Sequence, residues 1–231
     1  MIAKSFLVSG AMNFVAANLI KKLIEFRHYR IAAIDENDGK DLNDIRDEIL
    51  FEKTNIKNIS SKYNFDVIID FSQNKDINNP SFVNINFDNF STFISFSECY
   101  GPGQNIKCFI PDLIITAINQ NFLKLQSDGS KKRNLIYVDD LSDAIIKILH
   151  FGNSLDYDVS SDEEIEDLFI ARQILKSFQL PLTLIDYNFE ENIVKFGKFD
   201  NSKVKKIGWR PRNSFDVGLI KTIAWYKKEF L

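Results

Sequence analysis

The chain has 231 residues, 45% of them hydrophobic and 26% charged, with a formal net charge of −3. That size suits one domain, or one domain plus a small lobe, and the apolar content can fill a core rather than leave the chain disordered. The charge offers no broad basic face for nucleic acid, and no apolar run approaches the roughly 18–20 residues of a membrane span.

Ser5-Phe6-Leu7-Val8 reads as a buried strand and Ser9-Gly10 as a turn. Val15, Leu19, Leu23 and Phe26 then fall on one helix face, with Lys21, Lys22 and Glu25 on the other. Arg30–Asp35 is a second buried strand ending in an acid, so the first 35 residues form a βαβ unit. Residues 66–71 give another continuous apolar strand, as in a parallel sheet covered on both faces. The Asn-rich stretch from Ser72 to Ser91 has no strong period and reads as loop with at most a short helix. Next come a strand at Phe93–Ser97, a turn at Tyr100-Gly101-Pro102-Gly103, a helix from Ile110 to Ile118 and a turn at Asp128-Gly129-Ser130. A strand at Leu135–Val138 leads into a helix capped by Asp139 or Asp140. Tyr157–Val159 is a strand, Glu163–Phe178 a helix, Leu182–Ile185 a strand, and Ser214–Phe230 a last amphipathic helix.

The N-terminal run Met1–Val8 is too short and too soon interrupted for a signal peptide. Cys99 and Cys108 have neither metal-ligand spacing nor a disulfide framework. A reduced, cytoplasmic protein without a metal site is expected. His28 and His150 each fall at a helix end, where an imidazolium can offset the dipole. Trp209 and Trp225 read as core or interdomain anchors.

The motifs in order carry a resemblance. Tyr100-Gly101-Pro102-Gly103-Gln104, Ile110-Pro111, Asp128-Gly129-Ser130…Arg133…Tyr137-Val138-Asp139-Asp140…Ala144-Ile145 and Asp200-Asn201-Ser202-Lys203…Gly208-Trp209-Arg210-Pro211 resemble the extended short-chain dehydrogenase/reductases. Within them the pattern is most similar to the NAD-dependent nucleotide-sugar epimerases and 4,6-dehydratases, from Phe6 to Tyr226. The resemblance implies an α/β fold, a Rossmann-like doubly wound parallel sheet with a small C-terminal α/β substrate lobe. Residues 1–104 plus 135–160 would form the dinucleotide domain, and 105–134 plus 161–231 the nucleotide-sugar lobe.

For the cofactor, NAD, the resemblance implies contacts at Gly10, Asn13, Phe14, Val15, Asp35, Asn55 and Phe71. The chain has only 9 glycines, where average composition would give about 16. Part of the shortfall lies in the first turn: Gly10 keeps the family's first glycine, but Asn13 stands at the second and Ala16 at the third. Asn13 puts a side chain where backbone should meet a pyrophosphate. Asp35 matches the acid that holds the adenosine ribose, or is a plain strand-ending acid; Asn55 falls where the family reads adenine. For the nucleotide sugar, the matching positions are Glu98, Tyr100, Arg133 and Glu190. Arg133 suits a diphosphate or is a surface arginine before a strand, whereas Glu98 and Glu190 put acids where the ligand is anionic.

The family's hydride chemistry needs a Tyr and a Lys four residues on, so that both project from one helix face. The tyrosines at 29, 63, 100, 137, 157, 187 and 226 are followed four residues on by Ala33, Val67, Gln104, Leu141, Ser161, Glu191 and Phe230. No Tyr-x-x-x-Lys exists, and no catalytic residue is assigned. The expectation is a degenerate epimerase/dehydratase-like protein that binds a nucleotide sugar, or a non-catalytic binding or partner subunit that keeps the fold. Without the Tyr-Lys helix, the family's four-helix dimer interface is not expected. One sheet face should also be left for Phe82, Phe87, Phe90 and Phe93 to cover or to use as an interface.

Overall fold

A computed structural model describes residues 4–37, 40–59, 64–74, 81–126, 128–188 and 198–231. In chain order its elements are β1 (Ser5–Ser9), α1 (Phe14–Ile24), β2 (Arg30–Asp35), a 3₁₀ segment (Lys40–Glu48), β3 (Leu50–Lys53), α2 (Ile56–Ile59), β4 (Val67–Asp70), β5 (Phe82–Phe87), β6 (Ser91–Phe96) and β7 (Glu98–Tyr100). There follow α3 (Phe109–Ile118), β8 (Leu123–Gln126), β9 (Lys132–Tyr137), α4 (Val138–Phe151), β10 (Asp156–Val159), β11 (Glu164–Glu166), α5 (Asp167–Ser177), a 3₁₀ turn (Leu182–Leu184), β12 (Ile185–Asn188), α6 (Ser202–Lys206) and α7 (Phe215–Phe230).

The expected α/β sheet is present, with seven strands in the order β10-β6-β5-β4-β1-β2-β3. β1 pairs in parallel with β2 on one side and β4 on the other, so the strand order reverses beside β1. In open α/β sheets a ligand crevice opens at such a reversal, beyond the carboxyl ends of the strands. Along β1, Phe6 and Val8 face the main core with α1 and α4, whereas Leu7 faces a smaller cluster with Ala32, Ile34 and Ile59. This alternation is the strand's period of two, apolar on both faces because both are covered.

The stretch read as loop contains β5, which is antiparallel to both β4 and β6. Its inward residues Val83 and Ile85 are fully buried, while Asn84 and Asn86 alternate with them on the other face. Asparagine is a poor strand former, which hid a period of two that tertiary pairing imposes. The outward face is therefore largely polar. There Ser95 bonds Asp158, and Phe93, 41% exposed, stacks on Phe82 at 5.3 Å between ring centres. Phe87 and Phe90 stack on each other at 4.5 Å.

The helix expected from Glu163 begins at Asp167, because Glu164–Glu166 forms β11 and pairs antiparallel with β9. Leu182–Leu184, read as strand, is a 3₁₀ turn ahead of β12. β11-β9-β7 and β12-β8 make two small sheets beside the main one. Ser214 caps α7 as its position suggests, accepting from Val217 N. Gly218 lets α7 lie close to β7 and β9, since a Cβ there would collide with the Tyr100 hydroxyl and the Tyr137 ring. Among the described residues no helix is long and apolar enough to cross a membrane.

Candidate functional site

A cavity of about 300 Å³ opens where the strand order reverses, at the carboxyl ends of β1, β2 and β4. Of the seven residues implied for a cofactor, Gly10, Asn13, Asp35, Asn55 and Phe71 line it. Phe14 and Val15 lie behind it, buried in the first turn of α1. Sequence reasoning missed Asn37, Thr54, Ser72 and Asn74, which also line it. The only sequence signal was their position just beyond strand ends.

Gly10 has φ of +70°, and a Cβ there would lie 2.8 Å from Ser72 N and 2.9 Å from the Phe71 carbonyl carbon. Glycine is thus needed for both conformation and space. The Asp35 carboxylate is buried and tied to the turn. Its Oδ2 accepts from Met12 N at 3.0 Å, and its Oδ1 from Asn37 N at 2.9 Å and Asn37 Nδ2 at 3.0 Å. These bonds fix the end of β2 against the turn that opens α1.

Asn13 is the N-cap of α1. Its Oδ1 accepts from Val15 N at 2.9 Å and Ala16 N at 3.4 Å, and its carbonyl accepts from Ala17 N at 2.9 Å. Amides at a helix N-terminus are what a phosphate would otherwise bind. Here two of them, those of Val15 and Ala16, are taken by the Asn13 side chain. The residues present fit the adenosine half of a dinucleotide and do not fit its diphosphate.

The second group of implied residues does not open onto this cavity. Arg133, on β9, is buried between two acids. Its Nε donates to Asp167 Oδ1 at 2.6 Å, its Nη2 to Asp167 Oδ2 at 3.2 Å and its Nη1 to Glu98 Oε2 at 3.0 Å. The guanidinium also lies 3.6 Å from the centre of the Phe109 ring. Burial alone would lower its pKa, but the Asp167 and Glu98 carboxylates outweigh that and hold it above its ordinary value. The side chain read as diphosphate-binding or surface is an internal ion pair. Glu98 faces this arginine from β7. Glu190 lies outside the described residues.

Tyr100 is buried, and its hydroxyl donates to Phe215 O at 3.2 Å. Burial first, then Tyr137, pushes its phenol far above the ordinary range. Tyr137 is likewise raised, to about 12, by burial and by Asp139 and Asp140. Neither is prepared to ionise near neutral pH.

Asp140 does not cap α4, whose N-cap is Tyr137 with no side-chain bond. It is a buried anchor for the C-terminal segment, accepting from Arg212 N at 3.1 Å, Asn213 N at 3.0 Å and Asn213 Nδ2 at 3.0 Å. Trp209 Nε1 donates to its carbonyl at 3.1 Å. His150 sits in the last turn of α4 as expected, 2.8 Å from the Tyr29 hydroxyl.

Compared with known families, residues 83–159 match the NAD dependent epimerase/dehydratase family. The chain carries an epimerase/dehydratase family domain. This domain is homologous to dTDP-glucose 4,6-dehydratases, such as that of Mycolicibacterium smegmatis, 28% identical over 141 residues that make up 59% of this chain and 43% of that protein. A trifunctional UDP-glucose 4,6-dehydratase/UDP-4-keto-6-deoxy-D-glucose 3,5-epimerase/UDP-4-keto-L-rhamnose-reductase of Arabidopsis thaliana is 34% identical over 134 residues, 56% of this chain and 20% of its own length. The matched part is therefore well under two thirds of either relative. The epimerase/dehydratase fold extends beyond the matched segment. A dTDP-glucose 4,6-dehydratase from Bacillus anthracis in complex with NAD superimposes with a TM-score of 0.80 at 18% identity, covering 99% of this chain and 98% of that one. A UDP-glucose 4-epimerase from Thermotoga maritima with UDP-glucose gives 0.82 at 15% identity, covering 98% and 100%.

Proposed function

We propose that this chain is a nucleotide-sugar-binding relative of the epimerases and dehydratases that does not perform the family's Tyr/Lys hydride chemistry. The observation that carries the proposal is that none of its seven tyrosines is followed four residues on by a lysine. A general acid–base tyrosine must be brought toward the working pH by a neighbouring cation. Tyr100 and Tyr137 are instead pushed the other way by burial and nearby acids. The Asn13 cap supports the same reading, because its side chain occupies amides at the start of α1 that a phosphate would otherwise bind. The small lobe of residues 105–134 and 161–231 is the substrate side in this reading.

Calorimetric titration with UDP-, dTDP-, GDP- and CDP-sugars tests it, with product analysis after incubation with NAD. Binding of one of them without turnover is the expected result. Turnover of any of them with NAD would overturn it.

A second reading is a partner subunit that keeps the fold and binds no nucleotide sugar. The pairing of Arg133 with Asp167 and Glu98 favours it, since that guanidinium is already neutralised. Failure of all four nucleotide sugars to bind would select it.

A further inference from the structure

The cavity beside β1 combines apolar and polar groups. Ile34, Ile56 and Phe71 give it apolar walls, and Asp35, Glu36 and Asn55 a polar rim. No lysine or arginine among the described residues lines it. At about 300 Å³ it stands at the lower end of the roughly 300–1,000 Å³ found for small-ligand clefts.

On its floor Asn13 is 1% exposed and holds the first amides of α1 through Oδ1, while its Nδ2 is buried with no partner. A phosphate entering here would have to displace that cap and stand near two carboxylates. A neutral oxygen could instead accept from the orphaned Nδ2. We infer that this cavity takes an uncharged purine nucleoside of the adenosine type and discriminates against the intact dinucleotide.

Two groups suit such a ligand. A carboxylate offers about four lone-pair sites. Met12 N, Asn37 N and Asn37 Nδ2 use three of those on Asp35, leaving one for a ribose hydroxyl. The Asn55 amide carries the donor and acceptor pair that matches an adenine edge. Its present bonds, to Glu36 Oε1 at 3.4 Å and from Asn58 N at 3.3 Å, are long and exchangeable. The inference rests on the reading above only in that no hydride reaction requires NAD to fit.

Titration of the full chain with adenosine, AMP and NAD tests it, beside Asn13→Gly, since glycine is among the residues accepted at an N-cap. The wild type should bind adenosine at least about tenfold more tightly than NAD, with AMP between, and Asn13→Gly should close that gap by about tenfold. Asn13→Asp keeps a cap and adds a charge, so it should weaken AMP further. Adenosine failing to bind, NAD binding as tightly as adenosine, or an unchanged ratio in Asn13→Gly would each overturn the inference. NAD binding as tightly as adenosine but without turnover would sink it and leave the proposed function standing, whereas turnover would remove the proposed function.

Discussion

Replacing Arg133 by methionine separates two roles for that side chain. Met keeps the apolar bulk against Phe109 but leaves Asp167, 0% exposed, and the partly buried Glu98 as two facing acids without a cation. Breaking a buried pair from one side is expected to cost about 3–5 kcal/mol, and loss of the cation–π contact about 0.5–2 more. Against a total stability of roughly 5–15 kcal/mol this is a large loss. The exposed pair Lys203–Asp156 is the control, since an exposed pair contributes about 0–1 kcal/mol, so Lys203→Met should be nearly neutral. Urea unfolding at pH 7, fitted with the wild-type slope, reads both variants. If Arg133 were an open diphosphate ligand, its removal would abolish nucleotide-sugar binding and leave unfolding unchanged. A shift for Arg133→Met below about 1 kcal/mol would refute the buried-pair argument.

Other substitutions probe the remaining supports. Gly10→Ala should destabilise by at least about 2 kcal/mol, from a left-handed backbone and the clash with Ser72 N, measured by urea midpoint. Asp140→Ala removes three accepted bonds at a buried carboxylate and should cost about 3–5 kcal/mol. It should also speed proteolysis near residues 209–213, and equal cleavage rates would count against the anchor. His150 has its pKa lowered by burial and by Lys4, His28 and Lys147. The stability it permits is present above its unfolded value of about 6.5 and is lost as pH falls through the lower folded value. His150→Gln should therefore lose less stability than wild type between pH 7 and pH 5, and parallel pH profiles would contradict this.

The sequence made the β1-α1-β2 unit legible because each strand is a continuous apolar run ending in a turn residue or an acid. The family resemblance groups Gly10, Asn13, Asp35, Asn55 and Phe71, and the reversal of strand order beside β1 is what brings them to one cavity. What failed to show were roles fixed by distant partners. Asp140 looked like a local cap, but its partners lie 72 and 73 residues on, at Arg212 and Asn213. Arg133 looked like an exposed or ligand-binding cation, but Asp167 is 34 residues away and arrives only when β11 pairs with β9. β5 was missed because two asparagines alternate with Val83 and Ile85 in a strand that propensity disfavours.

The proposed function holds that the fold is kept while hydride transfer is lost. Proton NMR of UDP-glucose and dTDP-glucose, each incubated with the protein and NAD, tests it most directly. The expected sugar spectra match a protein-free control throughout. New epimer or 4-keto-6-deoxy sugar signals that grow in proportion to protein concentration would contradict it.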